Sequence, residues 1–156
     1  MFRGKEIRAS PIGFVRRKVK EEDIKDKSLV CSIIVKKGYE KALEGIEDFS
    51  HIYVIFWMHE ISEAERRTLK THPRGRIDLP LLGVFATRSP LRPNPIGLTI
   101  VELLERKGNT LTIRGLDAFD GTPVIDIKPC NRWDIIKNVR VPKWWVKLEK
   151  EKEGGD

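Results

Sequence analysis

The chain has 156 residues, enough for one domain with its own core, and 40% of them are apolar, which excludes a disordered chain. Its formal charge is +7, and no run approaches the ~18 apolar residues of a membrane span, so no membrane role is expected. Cys31, Cys130, His51, His59 and His72 fall in no metal-ligand spacing, which argues against a metal centre and for a reducing, cytoplasmic compartment.

The start, MFRGKEIRAS, has no apolar stretch of the kind a signal peptide needs. Residues 12–18 alternate weakly and read as a first strand; 29–36, LVCSIIVK, are rich in β-branched residues and read as a second. Residues 38–45 read as a short helix with Tyr39, Ala42 and Leu43 on one face, continued by Ile46, and Gly45 as its stop. HIYVIFWM, 51–58, is apolar throughout, as in a strand buried on both faces or one closing a barrel. Residues 61–70 suit one or two helical turns, and 71–80 form a basic Gly/Pro loop. Four further strands are expected at 82–87, 97–105, 110–115 and 124–127, with Lys107-Gly108-Asn109-Thr110 as the hairpin turn between two of them. The chain from Lys147 is of mixed charge, ends Gly-Gly-Asp and is expected to fray.

About seven short strands and little helix make the fold mainly β, a barrel or sandwich. No repeat or second domain is visible, so residues 1–140 read as one domain and 141–156 as a tail. Glycines never fall as Gly-x-Gly, so the dinucleotide fingerprint of a Rossmann fold is absent, as is a P-loop. The absence of glutamine, with abundant Lys and Glu, is the composition of a heat-adapted protein.

The positive charge is concentrated. Between Arg66 and Arg92 lie Arg66, Arg67, Lys70, Arg74, Arg76, Arg88 and Arg92 against Asp78 alone, a local +6 that leaves the remainder nearly neutral. Such a segment is either a solvated surface or the footprint of a polyanion. Three segments carry more polar chemistry than a barrel requires. The first is Trp57-Met58-His59-Glu60. His59 is either a satisfied surface histidine or, beside Glu60, a holder of ligand hydroxyls. The second is Arg88-Ser89-Pro90-Leu91-Arg92-Pro93-Asn94-Pro95, whose prolines make a stiff loop that neither helix nor ladder can absorb. The third runs from Leu116 to Cys130. Its Asp120-Gly121-Thr122-Pro123 is a turn by composition. Asp126 then sits in an apolar strand with Lys128 on the same face, either as a structural ion pair or as a carboxylate kept for a ligand.

Together these segments, FSHIYVIFWMHE (49–60), GVFATRSPLRPNPIGLTIVEL (83–103) and LDAFDGTPVIDIKP (116–129), resemble the TsaA-like family, also called TrmO. The likeness runs from about residue 12 to 130. It departs from the family at Cys130, where many members have tyrosine, and at the charged EEDIKDKSL (21–29), where bacterial members carry a Pro-Gly-rich stretch. The resemblance implies a single β-barrel, non-Rossmann methyltransferase that works as a homodimer and uses S-adenosylmethionine. The substrate it implies is tRNA, at N6-threonylcarbamoyladenosine 37 of the anticodon loop. Cofactor contacts then fall on His59, Glu60, Arg88, Leu98, Asp120, Gly121, Thr122 and Pro123. Arg88 would meet the cofactor carboxylate, and the Gly121 and Thr122 amides its adenine. Arg66, Arg67, Lys70, Arg74, Arg76 and Arg92 would meet RNA, with Asp126 as proton acceptor and Lys128 as its partner or as an oxyanion holder. Alternative readings are another methyl acceptor at the same cofactor site, small molecule or protein, and a non-catalytic basic RNA-binding barrel.

Overall fold

The computed structural model describes residues 7–18 and 23–153. In chain order its strands are β1 (Gly13–Arg16), β2 (Val30–Val35), β3 (His51–Trp57), β4 (Lys70–Thr71), β5 (Leu82–Gly83), β6 (Ile96–Lys107), β7 (Thr110–Arg114) and β8 (Pro123–Pro129). One α-helix follows, α1 (Lys143–Glu153), and the other helical pieces are short 3₁₀ turns. The chain divides into two compact units: residues 1–60 with 95–131, and residues 61–94 with 132–156.

The first unit is a closed antiparallel barrel in the order β1-β2-β7-β6-β3-β8, with β8 paired back onto β1. Alternation along each strand fills the interior. Val15, Ile33, Val35, Ile52, Val54, Val101, Leu111, Ile113 and Val124 all point inward and are fully buried. The apolar 51–58 segment resolves the same way. Ile52, Val54 and Phe56 face the core, while Tyr53, Ile55 and Trp57 lie half-buried on the outer face. The hairpin from β6 to β7 turns on Gly108, whose φ of +59° is in the left-handed region, and the Asn109 side-chain amide donates to the Val35 carbonyl at 2.6 Å.

Three expected elements take other forms. Of the strand expected over 82–87, only Leu82–Gly83 is extended, pairing with β4, and Val84–Ala86 is a 3₁₀ turn. The reason is competition for the Val84 carbonyl. It accepts from the Thr87 amide, the Thr87 hydroxyl and the Arg92 guanidinium, leaving no place for a ladder. The barrel therefore has six strands rather than seven. The chain from Lys147, expected to fray, belongs to α1, whose Leu148 is buried; Gly154–Asp156 lie outside the described residues. The helix expected at 38–45 is the 3₁₀ turn Lys37–Leu43, with Leu43 alone buried and Gly45, at φ +84°, just beyond it.

Gly97 opens the return into β6, and a Cβ there would stand 2.2 Å from the Phe56 ring. Phe56 is itself buried, so the ring has no room to withdraw. Gly97→Ala is expected to destabilise the barrel by about 1–3 kcal/mol, the cost of overpacking a core. Urea unfolding measures it, and an unchanged midpoint would show that Phe56 repacks freely.

Candidate functional site

Within the barrel unit, the turn after Phe119 is held by its own backbone. Gly121 sits at φ +74°, its amide donates to the Val15 carbonyl at 2.9 Å, and the Thr122 amide donates to the Phe119 carbonyl at 3.2 Å. The expectation that these two amides read a ligand is thus corrected: both are already used inside the chain. Asp120 is the turn's chemically available member. One carboxylate oxygen accepts the Arg17 backbone amide at 2.8 Å, and the other lies 3.9 Å from the Arg16 guanidinium.

Asp120 forms one wall of a concave site of about 540 Å³ with Arg16, Arg17, Lys18, Cys31 and Ser32. Arg17 is only 8% exposed, donates to the Leu116 carbonyl at 2.6 Å, and keeps a buried Nε with no partner. Burial pushes the Cys31 thiol up from its ordinary value, so the thiol form is favoured there. The sequence reading passed over these cations; the signal was three consecutive bases, Arg16-Arg17-Lys18, at the end of an apolar strand.

His59 and Glu60 follow β3 and pair with each other, Nε2 to Oε1, at 2.9 Å. Strand register brings two further residues together. Leu98 on β6 is opposite Ile55, and Ile55 is opposite Asp126 on β8. Leu98 and Asp126 therefore flank Ile55 across three adjacent strands, about 10 Å apart at the ~4.8 Å strand spacing. Lys128 Nζ lies 2.9 Å from Asp126 Oδ2, and the other Asp126 oxygen accepts the Ile127 amide at 2.9 Å. The ion-pair geometry expected from spacing is present, on the outside of the barrel where a substrate can reach it.

The second unit holds the basic segment. Arg67, Lys70, Arg74 and Arg88 are exposed and Arg66 is half-buried. Arg92 donates to the Val84 and Thr87 carbonyls at 2.9 and 2.8 Å, and so braces the proline loop from within. The Thr87 hydroxyl accepts the Ser89 amide, and the Ser89 hydroxyl the Leu91 amide. Arg76 grips Asp78 through two nitrogens at 3.0 and 2.7 Å and also reaches Glu151 of α1, while Lys147 of α1 bonds Asp78 at 2.9 Å. Arg76 thus fastens α1 to the basic loop. Its guanidinium and the Lys147 ammonium hold the Asp78 carboxyl well below the usual carboxylate range, and Arg76 holds that of Glu151 low as well. Among the described residues, no three His, Cys, Asp or Glu side chains gather as metal ligands, and no helix is long and apolar enough to cross a membrane.

Residues 8–134 match the family model described as the tRNA-methyltransferase O N-terminal domain, and the chain belongs to this family. A relative in Methanothermobacter thermautotrophicus, named a probable S-adenosyl-L-methionine-binding protein, is 47% identical over 129 residues, covering 80% of this chain and 90% of that one. A mouse protein named tRNA (adenine(37)-N6)-methyltransferase is 42% identical over 90 residues, covering 58% of this chain and 20% of that one. A crystal structure of TrmO superposes with a TM-score of 0.71 at 32% identity, over 88% of this chain and 64% of that chain. A second, from Pseudomonas aeruginosa, gives 0.68 at 31%, over 87% of this chain and 62% of that chain. This chain therefore spans less than two thirds of the solved proteins.

The attachment of α1 has a pH dependence. Carboxyls held low in the folded state stabilise it above their unfolded values, about 3.9 for Asp and 4.3 for Glu, and that contribution is lost as pH falls below them toward the folded ones. Acidification is expected to release α1 before the barrel melts, read as loss of helical circular dichroism with the barrel's strand signal retained. Asp78→Asn with Glu151→Gln should show the released helix already at neutral pH. A helical signal that persists to the acid limit of the fold in both proteins would remove these ion pairs from the attachment.

Proposed function

We propose that this chain is an S-adenosylmethionine-dependent tRNA methyltransferase that places a methyl group on N6 of adenosine 37, in its threonylcarbamoylated form, within the anticodon loop. The family match over residues 8–134 carries the reading. It spans all three polar segments and joins the chain to relatives whose names state cofactor binding and tRNA adenine methylation. A cytoplasmic location is part of the same proposal, since tRNA is the substrate it names.

Each side chain named for the cofactor has chemistry that supports the reading. Exposed Arg88 offers a guanidinium fork to a carboxylate, Glu60 and Asp120 offer acceptors to hydroxyl or amino hydrogens, and Leu98 offers apolar surface at 47% exposure. The cofactor supplies a methyl group on a sulfonium, which is already a good leaving group. The protein's task is then alignment and proton removal. Asp126 takes the proton that N6 loses as its new bond to carbon forms, and Lys128 orients that carboxylate. Arg67, Lys70 and Arg74 are cations exposed to phosphate, and Arg66 and Arg92 are half-buried. An anticodon loop is single-stranded, so presenting one base costs at most a few kcal/mol of unstacking.

Assembly as a homodimer is part of the same proposal. The outer face of β6 carries Ile96, Leu98 and Ile100 at 46%, 47% and 50% exposure, opposite half-buried Trp57, Ile55 and Tyr53 of β3. A two-fold partner seated on Ile96 and Ile100 would cover the stripe to either side of Leu98 and wall the region around Leu98 and Asp126 against water. Ile100→Glu is expected to give a monomer in sedimentation equilibrium. A monomeric parent chain, or a variant that still dimerises, would rule the stripe out as the contact.

Nucleoside mass spectrometry of tRNA incubated with the chain and S-adenosylmethionine tests the reaction directly. Arg88→Ala should weaken cofactor binding by about 1.5–3 kcal/mol in calorimetry, the range for hydrogen bonds to charged groups. Asp126→Asn should keep the circular dichroism spectrum and cofactor affinity while lowering the methylation rate ~10²-fold or more. A wild-type rate in that variant excludes Asp126 as acceptor, and an unfolded variant makes the pair structural. Saturable cofactor binding without tRNA methylation would point to another acceptor. tRNA binding without cofactor binding would leave only a basic RNA-binding barrel.

A further inference from the structure

The helix α1 begins at Lys143, beyond the family match, which ends at residue 134. It nevertheless builds one wall of a second concave site of about 540 Å³, lined mainly by Leu82, Phe85, Arg88, Pro142, Trp144 and Trp145, all within the second unit. That volume is within the ~300–1,000 Å³ usual for small-ligand pockets. The Trp144 and Trp145 rings meet edge to face, 5.6 Å between centroids and 68° between planes. The Trp145 indole N–H donates to Glu149 at 2.8 Å, one helical turn on, which fixes the ring's orientation. Phe85 is 83% exposed although it belongs to the rigid 3₁₀ turn braced by Thr87 and Arg92. A large aromatic ring held in water by a stiff backbone, beside an indole pair held in place, is preorganised to stack against something flat.

Charge decides what that is. The second unit has 14 basic and 8 acidic residues, a net +6, so nearly the whole positive charge of the chain lies in the unit that owns this pocket. Arg88 lines the pocket, and exposed Arg140 and Lys143 flank its Val141-Pro142 rim in sequence. Aromatic faces among cations take unpaired nucleobases, with the rings stacking on the base and the cations meeting its phosphates. An apolar protein partner gains nothing from that charge. We infer that the Phe85–Trp144–Trp145 pocket stacks an unpaired base of the RNA substrate, and that α1 thereby supplies an RNA contact from outside the family domain. This rests on the tRNA reading above.

The test measures tRNA affinity by fluorescence anisotropy and cofactor affinity by calorimetry, in the full chain and in Phe85→Ala, Trp144→Ala and Phe85→Tyr. Phe85 is mostly exposed, so its replacement does not threaten the fold, and circular dichroism checks α1 in the Trp144 variant. Phe85→Ala and Trp144→Ala are each expected to weaken tRNA binding about 10-fold, as for loss of one stacked base. Cofactor affinity should stay within twofold, and Phe85→Tyr, which keeps a ring, should bind tRNA normally. Unchanged tRNA affinity in both alanine variants overturns the inference while leaving the methyltransferase reading intact. Loss of cofactor affinity alone makes the pocket a cofactor site, and a change of sedimentation state alone makes it a protein contact; either overturns it. If the parent chain binds no tRNA at all, the methyltransferase reading falls first and takes the inference with it.

Discussion

A six-stranded closed barrel has no room for anything but its own side chains, and where the first unit can carry chemistry follows from that. Val15, Ile33, Ile52, Val54, Val101, Leu111 and Ile113 fill the interior completely. Chemistry is left with the outer face and the rims. The residues proposed for function occupy those places: Leu98 and Asp126 on the outer face either side of Ile55, His59 and Glu60 just past the end of β3, and Asp120 at the turn into β8. An α/β enzyme would place its ligand at the carboxyl ends of parallel strands. Here the alternation of an antiparallel strand puts core and working surface one residue apart.

The second unit is held by a different balance of forces. Among the described residues, its strands are the two-residue pair β4 and β5, too short to make a sheet that stands alone. Polar contacts join its pieces. Arg92 and Thr87 gather the proline loop around the Val84 carbonyl, and Arg76, Asp78, Lys147 and Glu151 tie α1 to the basic loop. Two of the arginines that make the segment look like a nucleic-acid surface are thus partly its scaffold. Exposed ion pairs are individually weak, and four groups sharing one network lose less side-chain entropy per contact than isolated pairs do.

Local chemistry explains what could be read from the sequence and what could not. Strands at 29–36, 97–105 and 110–115 were legible because they are rich in β-branched and other apolar residues and stand apart from the glycine and proline turns. Residues 51–58 hid their alternation, since Tyr53, Ile55 and Trp57 are as apolar as the inward set. Residues 82–87 misled because Val-Phe-Ala-Thr has strand propensity, while the deciding bonds come from Arg92, five residues beyond the segment. The helix α1 was masked by its charge run and by partners at Arg76 and Asp78 that no local pattern reveals. At Asp120–Pro123 the turn was plain, but the use of the Gly121 amide by Val15 is a contact across more than a hundred residues.

The pairing of the first strand with the last has a consequence for how the chain is made. Gly13 of β1 is registered with Val124 of β8, so the barrel cannot close until the ribosome has released nearly all of it. Until then the hairpin of β6 and β7 can form locally, and β3 waits with both faces apolar. High contact order of this kind slows folding and leaves unpaired strand edges exposed in the interval. Closure then removes every edge of the main sheet at once, turning the most aggregation-prone stage of the chain's life into its most protected one.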